Sequence, residues 1–254
     1  MEVYYIICLF IFGTIFGSFY NVVGSRLAHE ESIISPGSHC TNCKHPLGAL
    51  ELIPVLSFFL QRGKCKWCGA KLSIYYPFSE LLTGVCFALS YIVFGFTKEF
   101  IIALVFVSFL IMIVSSDIED MIIPDELIFI GSILIFLLRF FSYGIQDALW
   151  YTLQGVFAFF FMWGLKLFGD RLFQKESMGG GDIKLLFFFG LTLGFPYAIL
   201  SIFLGSFIGL PISLLFQYKK TNIIPFGPYL CAGAVILLFL NIPFLELIDL
   251  ITMV

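Results

Sequence analysis

Residues 179–216 read GGGDIKLLFFFGLTLGFPYAILSIFLGSFIGLPISLLF. Three glycines lead into Asp182, and an apolar run follows that is broken mainly by Lys184 and by the Gly-Phe-Pro at 194–196. The run is too long for one membrane span of about 20 residues and short for two, so it predicts a tight hairpin of two short helices. A carboxylate at the mouth of a membrane segment is costly to desolvate, and it therefore indicates a functional site.

The composition places the whole chain in a membrane. Of its 254 residues, 60% are hydrophobic, 12% are charged and 33 are phenylalanine, and the mean hydropathy is +1.02. A soluble domain is about half apolar and a quarter charged. The net charge is −3, and no basic stripe indicates nucleic acid as a partner.

The apolar runs predict an all-α polytopic membrane protein with about eight transmembrane helices. Residues 1–24 have no basic start and no small-residue cleavage site, so we interpret them as a retained first helix rather than a signal peptide. With the 183–216 hairpin counted as two spans, the remaining predicted spans are 3–24, 78–97, 100–116, 127–143, 148–168 and 228–245.

The distribution of lysine and arginine predicts the orientation. If the polar loop 25–76 is cytosolic and the spans alternate, only Lys98 and Arg139 lie outside. Excess lysine and arginine on the cytosolic side is the usual bias, and here it also puts Asp117 and Asp182 at cytosolic helix ends. The twelve basic residues inside are Arg26, Lys44, Arg62, Lys64, Lys66, Lys71, Lys166, Arg171, Lys175, Lys184, Lys219 and Lys220.

The polar loop carries two CxxC pairs, Cys40–Cys43 and Cys65–Cys68, with 21 residues between them. Four thiolates in two such pairs suit the tetrahedral coordination of structural Zn²⁺. A cytosolic location disfavours disulfides, and the alternatives are four unmetallated thiols or a redox pair. We interpret His39 and His45 as solvated loop residues. The other cysteines, Cys8, Cys86 and Cys231, lie in apolar runs and are expected to pack as small hydrophobes.

An apolar segment, residues 51–60, separates the two CxxC pairs and is too short to span a bilayer. It is expected to lie along the membrane surface and to seat the metal-binding loop on the helical bundle.

Two acidic positions are candidates for chemistry. Asp117 and Asp182 are 65 residues apart, each at the end of an apolar run. Two carboxyls that share one proton can hydrolyse a peptide bond, one as base on water and the other as acid on the carbonyl. Competing carboxylates are Glu119, Asp120 and Asp125; Asp125 and Asp182 could instead cap helices, and Glu119 and Asp120 could simply solvate a loop.

Together these motifs resemble the type IV prepilin peptidases, a family of GxGD membrane aspartyl proteases. Gly179 to Asp182 looks like the GxGD signature, and Asp117 followed by Ile123-Pro124-Asp125 resembles the first-aspartate region. The resemblance covers nearly the whole chain. Its other motifs are Gly17 to Val23 with Arg26, Cys40 to Cys68 enclosing Glu51-Leu-Ile-Pro54, Tyr76-Pro77 with Glu80, Asp182 to Leu185, and Ile224 to Pro228.

The resemblance implies two reactions in a bacterial cell membrane. The family removes the short basic leader of type IV prepilins or pseudopilins at the cytosolic face, and commonly N-methylates the new amino terminus with S-adenosylmethionine. By matching position, Asp117 and Asp182 carry over as the catalytic pair and the four cysteines as Zn²⁺ ligands. Glu80 is a weak candidate for the methyl-donor site, or else pairs with a basic residue. Tyr20, Gly24 and Ser25 depart from the usual family residues.

The same resemblance implies a division of the chain into three parts. Residues 1–24 form the first transmembrane helix, 25–76 form the methyltransferase-associated zinc loop, and 77–254 form the peptidase bundle.

Three alternative functions stay open: a peptidase without methylation, a proton-coupled transporter, and a zinc-stabilised scaffold. We see no internal repeat of the kind that would favour a transporter.

Overall fold

The structure is a computed structural model that describes residues 2–218, 225–242 and 246, without the side chains of 215–218. Within these residues every regular element is a helix, which confirms the predicted all-α class. A 3₁₀ turn covers Ala49–Glu51. The α-helices are α1 (Glu2–Ala28), α2 (Leu56–Leu60), α3 (Tyr75–Phe94), α4 (Lys98–Asp120), α5 (Asp125–Tyr143), α6 (Ile145–Phe173), α7 (Gly180–Leu193), α8 (Phe195–Tyr218) and α9 (Gly227–Leu240).

Eight of these helices form the bundle, as the hydropathy predicts. Among the described residues, six are long and apolar enough to cross a membrane, namely α1, α3, α4, α5, α6 and α8. Helices α7 and α9 have 14 residues each. Lys219, Lys220 and Ile224, used in the orientation and family arguments, lie outside the described residues.

Short glycine turns reverse the chain at one end of the bundle. Gly95, Gly144 and Gly194 all have positive φ and close the α3–α4, α5–α6 and α7–α8 connections. The turn at Gly194 confirms the predicted hairpin, but the prediction of two short helices is half wrong because α8 has 24 residues. Pro211 lies inside α8 without ending it, as membrane helices tolerate.

Small residues let α1 pack closely on α3. A Cβ atom built on Gly13 would lie 2.8 Å from the Cα atom of Gly84. Such contacts are how membrane helices gain van der Waals attraction where lipid offers no hydrophobic driving force. Helix α4 lies at the centre, in contact with α1, α3, α5 and α9, and Phe106, Val107 and Ile113 on it are fully buried.

A buried arginine ties three helices together at the glycine-turn end. Arg139 donates hydrogen bonds to the backbone oxygens of Leu191 (3.2 Å) and Thr192 (2.6 Å) and to Asp147 Oδ2 (3.2 Å). Its guanidinium also stacks on the ring of Tyr151, 3.3 Å from the centroid. A charge inside a membrane bundle needs such partners, so this cation fixes α5, α6 and α7 relative to one another.

The antiparallel path brings the cysteine loop and both candidate aspartates to the other end. Helix α1 ends there and α3 begins there, with the loop between them. Helix α4 ends there with Asp117 in its last turn, and α7 begins there with Asp182 in its first turn.

Candidate active site and metal centre

Asp117 lies in the last turn of α4 and is 5% exposed. The helix stops three residues later because Met121 adopts a left-handed conformation (φ 57°) and donates its N–H to the Asp117 carbonyl at 3.0 Å. The Ser116 hydroxyl donates to the Ile122 carbonyl at 2.6 Å. These contacts fold residues 121–124 back beside the Asp117 carboxylate.

Asp182 lies in the first turn of α7 and is 9% exposed. The residue that caps this helix is Gly179, so Asp182 is not the capping residue that one alternative proposed. Gly181 packs against Ile123, since a Cβ on Gly181 would lie 2.9 Å from the Ile123 Cβ atom. The glycine therefore allows α7 to approach the turn that follows α4.

Both aspartates line one cavity of about 300 Å³. Its walls are the Gly179–Gly181 segment and the 121–123 turn, so the two motifs that are far apart in sequence meet in space. The Asp117 Oδ2 atom is buried and accepts no hydrogen bond from the described residues. The arrangement places two buried carboxylates on the wall of one cavity, as shared-proton chemistry requires.

Gly227 is a site residue whose role the sequence did not indicate. At the start of α9 it packs so closely on the carboxylate that a Cβ would lie 2.4 Å from Asp117 Oδ2. In the sequence Gly227 belongs to the Pro-Phe-Gly-Pro stretch at 225–228. That stretch does not indicate which residue Gly227 contacts.

The competing carboxylates are less buried than Asp117 and Asp182, and two of them are paired with other side chains. Asp125 forms an ion pair with Lys184 at 2.6 Å, and it is the first residue of α5, after the capping residue Pro124, so the capping interpretation is wrong. Glu119 accepts a hydrogen bond from the Tyr76 hydroxyl at 3.3 Å. Asp120 Oδ2 lies 3.4 Å from His29 Nδ1 but forms no hydrogen bond with a described residue, and Asp120 is only half-buried. This leaves Asp117 and Asp182 as the buried pair.

The four cysteines of the two CxxC pairs converge. All four Sγ atoms lie within 4.8 Å of one another, and Cys40 Sγ is 3.8 Å from Cys68 Sγ. Four sulfurs at about 2.3 Å from a tetrahedral Zn²⁺ would be roughly 3.8 Å apart, so the cluster fits this ion. The N–H of Ala70 lowers the pKa of Cys68 to about 6. At Cys43 the N–H of His45 acts to lower the pKa, but burial and the neighbouring thiols raise it to about 11.

The two halves of the metal centre have the same backbone design. Cys40 N–H donates to His45 O and Lys44 N–H to Cys40 O; Cys65 N–H donates to Ala70 O and Gly69 N–H to Cys65 O. Each CxxC pair thus lies on a tight turn that presents both sulfurs to one side.

Neither loop histidine approaches the sulfur cluster as a fifth ligand would. His39 Nδ1 lies 2.9 Å from Gly37 O, and the His45 ring stacks on Trp67 with centroids 4.1 Å apart.

Of the cysteines outside the loop, Cys86 and Cys231 are buried as predicted. Cys8 is exposed on α1, so the prediction that it packs inside is wrong.

Comparison with known proteins identifies the family of the chain. Residues 11–94 match the model of the bacterial peptidase A24 N-terminal domain, and residues 104–214 match that of the type IV leader peptidase family. A Bacillus subtilis (strain 168) protein named prepilin leader peptidase/N-methyltransferase is 38% identical over 236 residues, which is 90% of this chain and 91% of the relative. The chain belongs to the type IV leader peptidase family.

Other family members are similar over the same extent. The relatives from Aeromonas hydrophila and Neisseria gonorrhoeae carry the same name. The first is 33% identical over 92% of this chain and 91% of the relative. The second is 32% identical over 91% of this chain and 89% of the relative. No solved structure matches the chain. The predicted family is therefore confirmed.

Two buried charged residues join the cysteine loop of this leader peptidase family member to its bundle. Arg26 donates hydrogen bonds to the carbonyls of Ser32 (2.9 Å) and Pro36 (2.6 Å). Glu80 Oε2 accepts the Val55 N–H at 2.7 Å, and among the described residues Glu80 forms no ion pair. Val55 has φ 62°, a costly conformation for a β-branched residue. The Glu80 bond holds that turn in place.

The apolar segment 51–60 leaves its side chains on the outside of the loop. Within it, Leu56 is 60% exposed and Leu60 is 78% exposed, both on the short helix α2. This exposure supports the predicted placement of the segment along a membrane surface.

The glycine motif allows a matched pair of variants. Gly181→Ala is expected to lower leader cleavage roughly 10- to 100-fold, because the new methyl group would push α7 and Asp182 away from Ile123. Gly180→Ala meets nothing within 4 Å and is expected to retain activity. Initial cleavage rates of the two purified variants provide the measurement. Equal rates would show that the close approach of Gly181 is not what the motif provides.

Proposed function

We propose that this chain removes the leader of type IV prepilins or pseudopilins with Asp117 and Asp182, and then N-methylates the new amino terminus with S-adenosylmethionine. The observation that carries the proposal is the single cavity in which two buried carboxylates meet, at the bundle end that also bears the cysteine loop. The relatives' names supply the substrate class and the second reaction.

The proposed cleavage uses the two aspartates in opposite protonation states. The ionised carboxylate takes a proton from water as the water oxygen attacks the scissile carbonyl carbon, and the protonated carboxyl donates its proton to the carbonyl oxygen. Collapse of the tetrahedral intermediate breaks the C–N bond. The amine leaves with a proton returned from the first aspartate, and the second aspartate takes a proton from a hydroxyl of the intermediate as the new carboxylic acid forms. Gly179, Gly180 and Gly181 line the cavity, where an extended substrate backbone would lie beside the carboxylates.

The substrate's charge suits this end of the bundle. A prepilin has an apolar helix in the bilayer and a short basic leader in the cytosol, so its scissile bond lies at the cytosolic surface. We propose that the cysteine loop and both aspartates face the cytosol, as the lysine and arginine bias favours. Glu119, Asp120 and Glu126 lie near the cavity in sequence and would attract the basic leader.

The metal and methylation parts of the proposal concern the loop. Cys40, Cys43, Cys65 and Cys68 would hold Zn²⁺, which crosslinks a segment too small to form a large apolar core. S-Adenosylmethionine would supply the methyl group. We propose that the 25–76 loop serves this reaction and that Glu80, through Val55, positions it; direct contact of Glu80 with the methyl donor stays a prediction.

The proposal is tested with purified protein in lipid vesicles. Mixed with a purified prepilin, it should release the leader and expose a new amino terminus at the cleavage site, as N-terminal sequencing would show. If the prepilin stays intact while the vesicles show protein-dependent proton flux, the transporter alternative is favoured. Neither cleavage nor flux would favour the scaffold.

The metal prediction is that the purified protein holds about one Zn²⁺ per chain. Replacing Cys40 or Cys68 by serine should release the metal and make the loop sensitive to protease, because metal binding and folding are coupled. Cys8→Ser is the matched control, since Cys8 is exposed on α1 away from the loop. Elemental analysis and limited proteolysis report the outcome. Absence of zinc from the wild-type protein, or an iron–sulfur absorption band, would refute the assignment.

A further inference from the structure

A groove of about 450 Å³ runs along the outside of the bundle between α5, α6 and α7. Its walls are apolar and largely aromatic: Phe129 on α5, Val156 and Phe159 on α6, and Phe187 on α7. Phe129 is 68% exposed. The groove lies within the hydrocarbon region if these helices cross the membrane, so its occupant must be apolar.

The groove adjoins the cavity that the two aspartates line. Asp125 and Lys184 line both spaces, and their ion pair stands at the junction. A segment that lies in the groove and passes this pair therefore enters beside Asp117 and Asp182.

Ser132 gives the groove a scale. It lies on the groove wall, about 10 Å along α5 from Asp125. Its hydroxyl oxygen is buried and forms no hydrogen bond with any described residue, so it is closed to an occupant of the groove.

We propose that this groove seats the apolar helix of the substrate, with the first helical turn at the Asp125–Lys184 end and the scissile bond beyond that pair. This proposal rests on the proposed peptidase function and names the surface that selects its substrate class. The first four N–H groups of a helix have no partner within the helix. These N–H groups favour the polar end of the groove, at the Asp125–Lys184 pair, over its apolar walls, which limits how far the helix enters.

The seating also explains how a single bond is chosen. Cleavage needs an extended backbone at the aspartates, whereas the substrate is helical in the bilayer. A groove that ends at the cavity places the start of the substrate helix at a fixed distance from the carboxylates. The apolar helix then contributes binding, and the residues just before it reach the reacting groups.

The first test maps the contact directly. A prepilin with a photoreactive leucine analogue in its apolar helix is irradiated in vesicles with the Asp182→Asn protein, which should bind but not cut. We expect cross-links to α5 and α6 within 128–160, and competition by unlabelled prepilin. Cross-links confined to α1 and α3, or a groove labelled only by a photoreactive lipid that prepilin does not displace, would overturn the proposal.

The second test fills the groove. Ser132→Phe adds an aromatic ring from the α5 wall of the groove, and Val156→Phe adds one from the α6 wall. Ile130→Phe is the control, because Ile130 is 50% exposed and does not line the groove. Each filling variant should raise KM for prepilin about tenfold with little change in kcat, and should leave cleavage of a short leader peptide without the helix unchanged.

The two failures are distinguishable. An inactive wild-type protein would count against the peptidase function itself. An active wild-type protein whose filling variants match Ile130→Phe on prepilin would count against the groove. If a filling variant does not fold, the cross-linking test still decides because its groove is unaltered.

Discussion

Asp117→Asn and Asp182→Asn should each lower prepilin cleavage by roughly 10²- to 10⁴-fold while the protein still folds and inserts. Either change removes a group that must gain or lose a proton, and a positioned acid or base contributes about that much. The substituted amide keeps the size of the carboxylate, so the buried cavity should persist. The measurement is the initial rate of leader release from purified prepilin, with thermal unfolding as the check on folding.

Asp125→Asn is the matched control for this prediction. Asp125 lines the same cavity, but its carboxylate is paired with Lys184 at 2.6 Å and its side chain is largely exposed. We expect it to retain substantial activity, since an exposed ion pair contributes at most about 1 kcal/mol to stability. Near-normal cleavage by either buried variant, or loss of cleavage in Asp125→Asn alone, would move the catalytic role to another acid.

The two reactions should be separable by lesions in different parts of the chain. A loop lesion such as Cys40→Ser should reduce methylation more than cleavage, because the aspartates lie in the bundle. Asp117→Asn should yield no methylated product from intact prepilin, since no new amine forms. Given a pilin that is already cleaved, the same variant should methylate it. The N-terminal mass reports the result, because one methyl group adds about 14 Da.

The contrary outcome for this prediction is also specific. If Asp117→Asn and Asp182→Asn remain folded but cannot methylate a cleaved pilin, the two reactions share one site. If Cys40→Ser loses both reactions equally while α4 and α7 remain folded, the loop is needed to assemble the aspartate cavity.

Helix positions followed from the sequence because hydropathy is a local property. The 100–116 run became the centre of α4 (Lys98–Asp120), and the turn at Gly194 fell where Gly-Phe-Pro interrupts the 183–216 run. Helix lengths followed less well. Helix α6 extends to Phe173, past the predicted end at 168, because polar residues can continue a helix beyond an apolar run. Helix α9 ends before the predicted residue 245 because Asn241 adopts a left-handed conformation.

The pairing of Asp117 with Asp182 was expected from their places at helix ends, but the contacts that shape the cavity were not. Gly227 is 110 residues from Asp117 in the chain, and nothing local to either shows that they touch. The close contact of Gly181 with Ile123 likewise joins residues that are far apart in the sequence. The exposure of Cys8 was missed because an apolar run in a membrane helix has a lipid face as well as a buried one.

The most direct test of the central claim is the intact mass of a prepilin co-expressed with the wild-type protein, with Asp117→Asn or with Asp182→Asn. With the wild-type protein we expect the mass of the leader to be lost and about 14 Da to be gained at the new amino terminus. With either variant we expect the full-length, unmethylated prepilin. A leader that is removed as completely by Asp117→Asn or Asp182→Asn as by the wild-type protein would contradict the assignment of this pair as the hydrolytic centre.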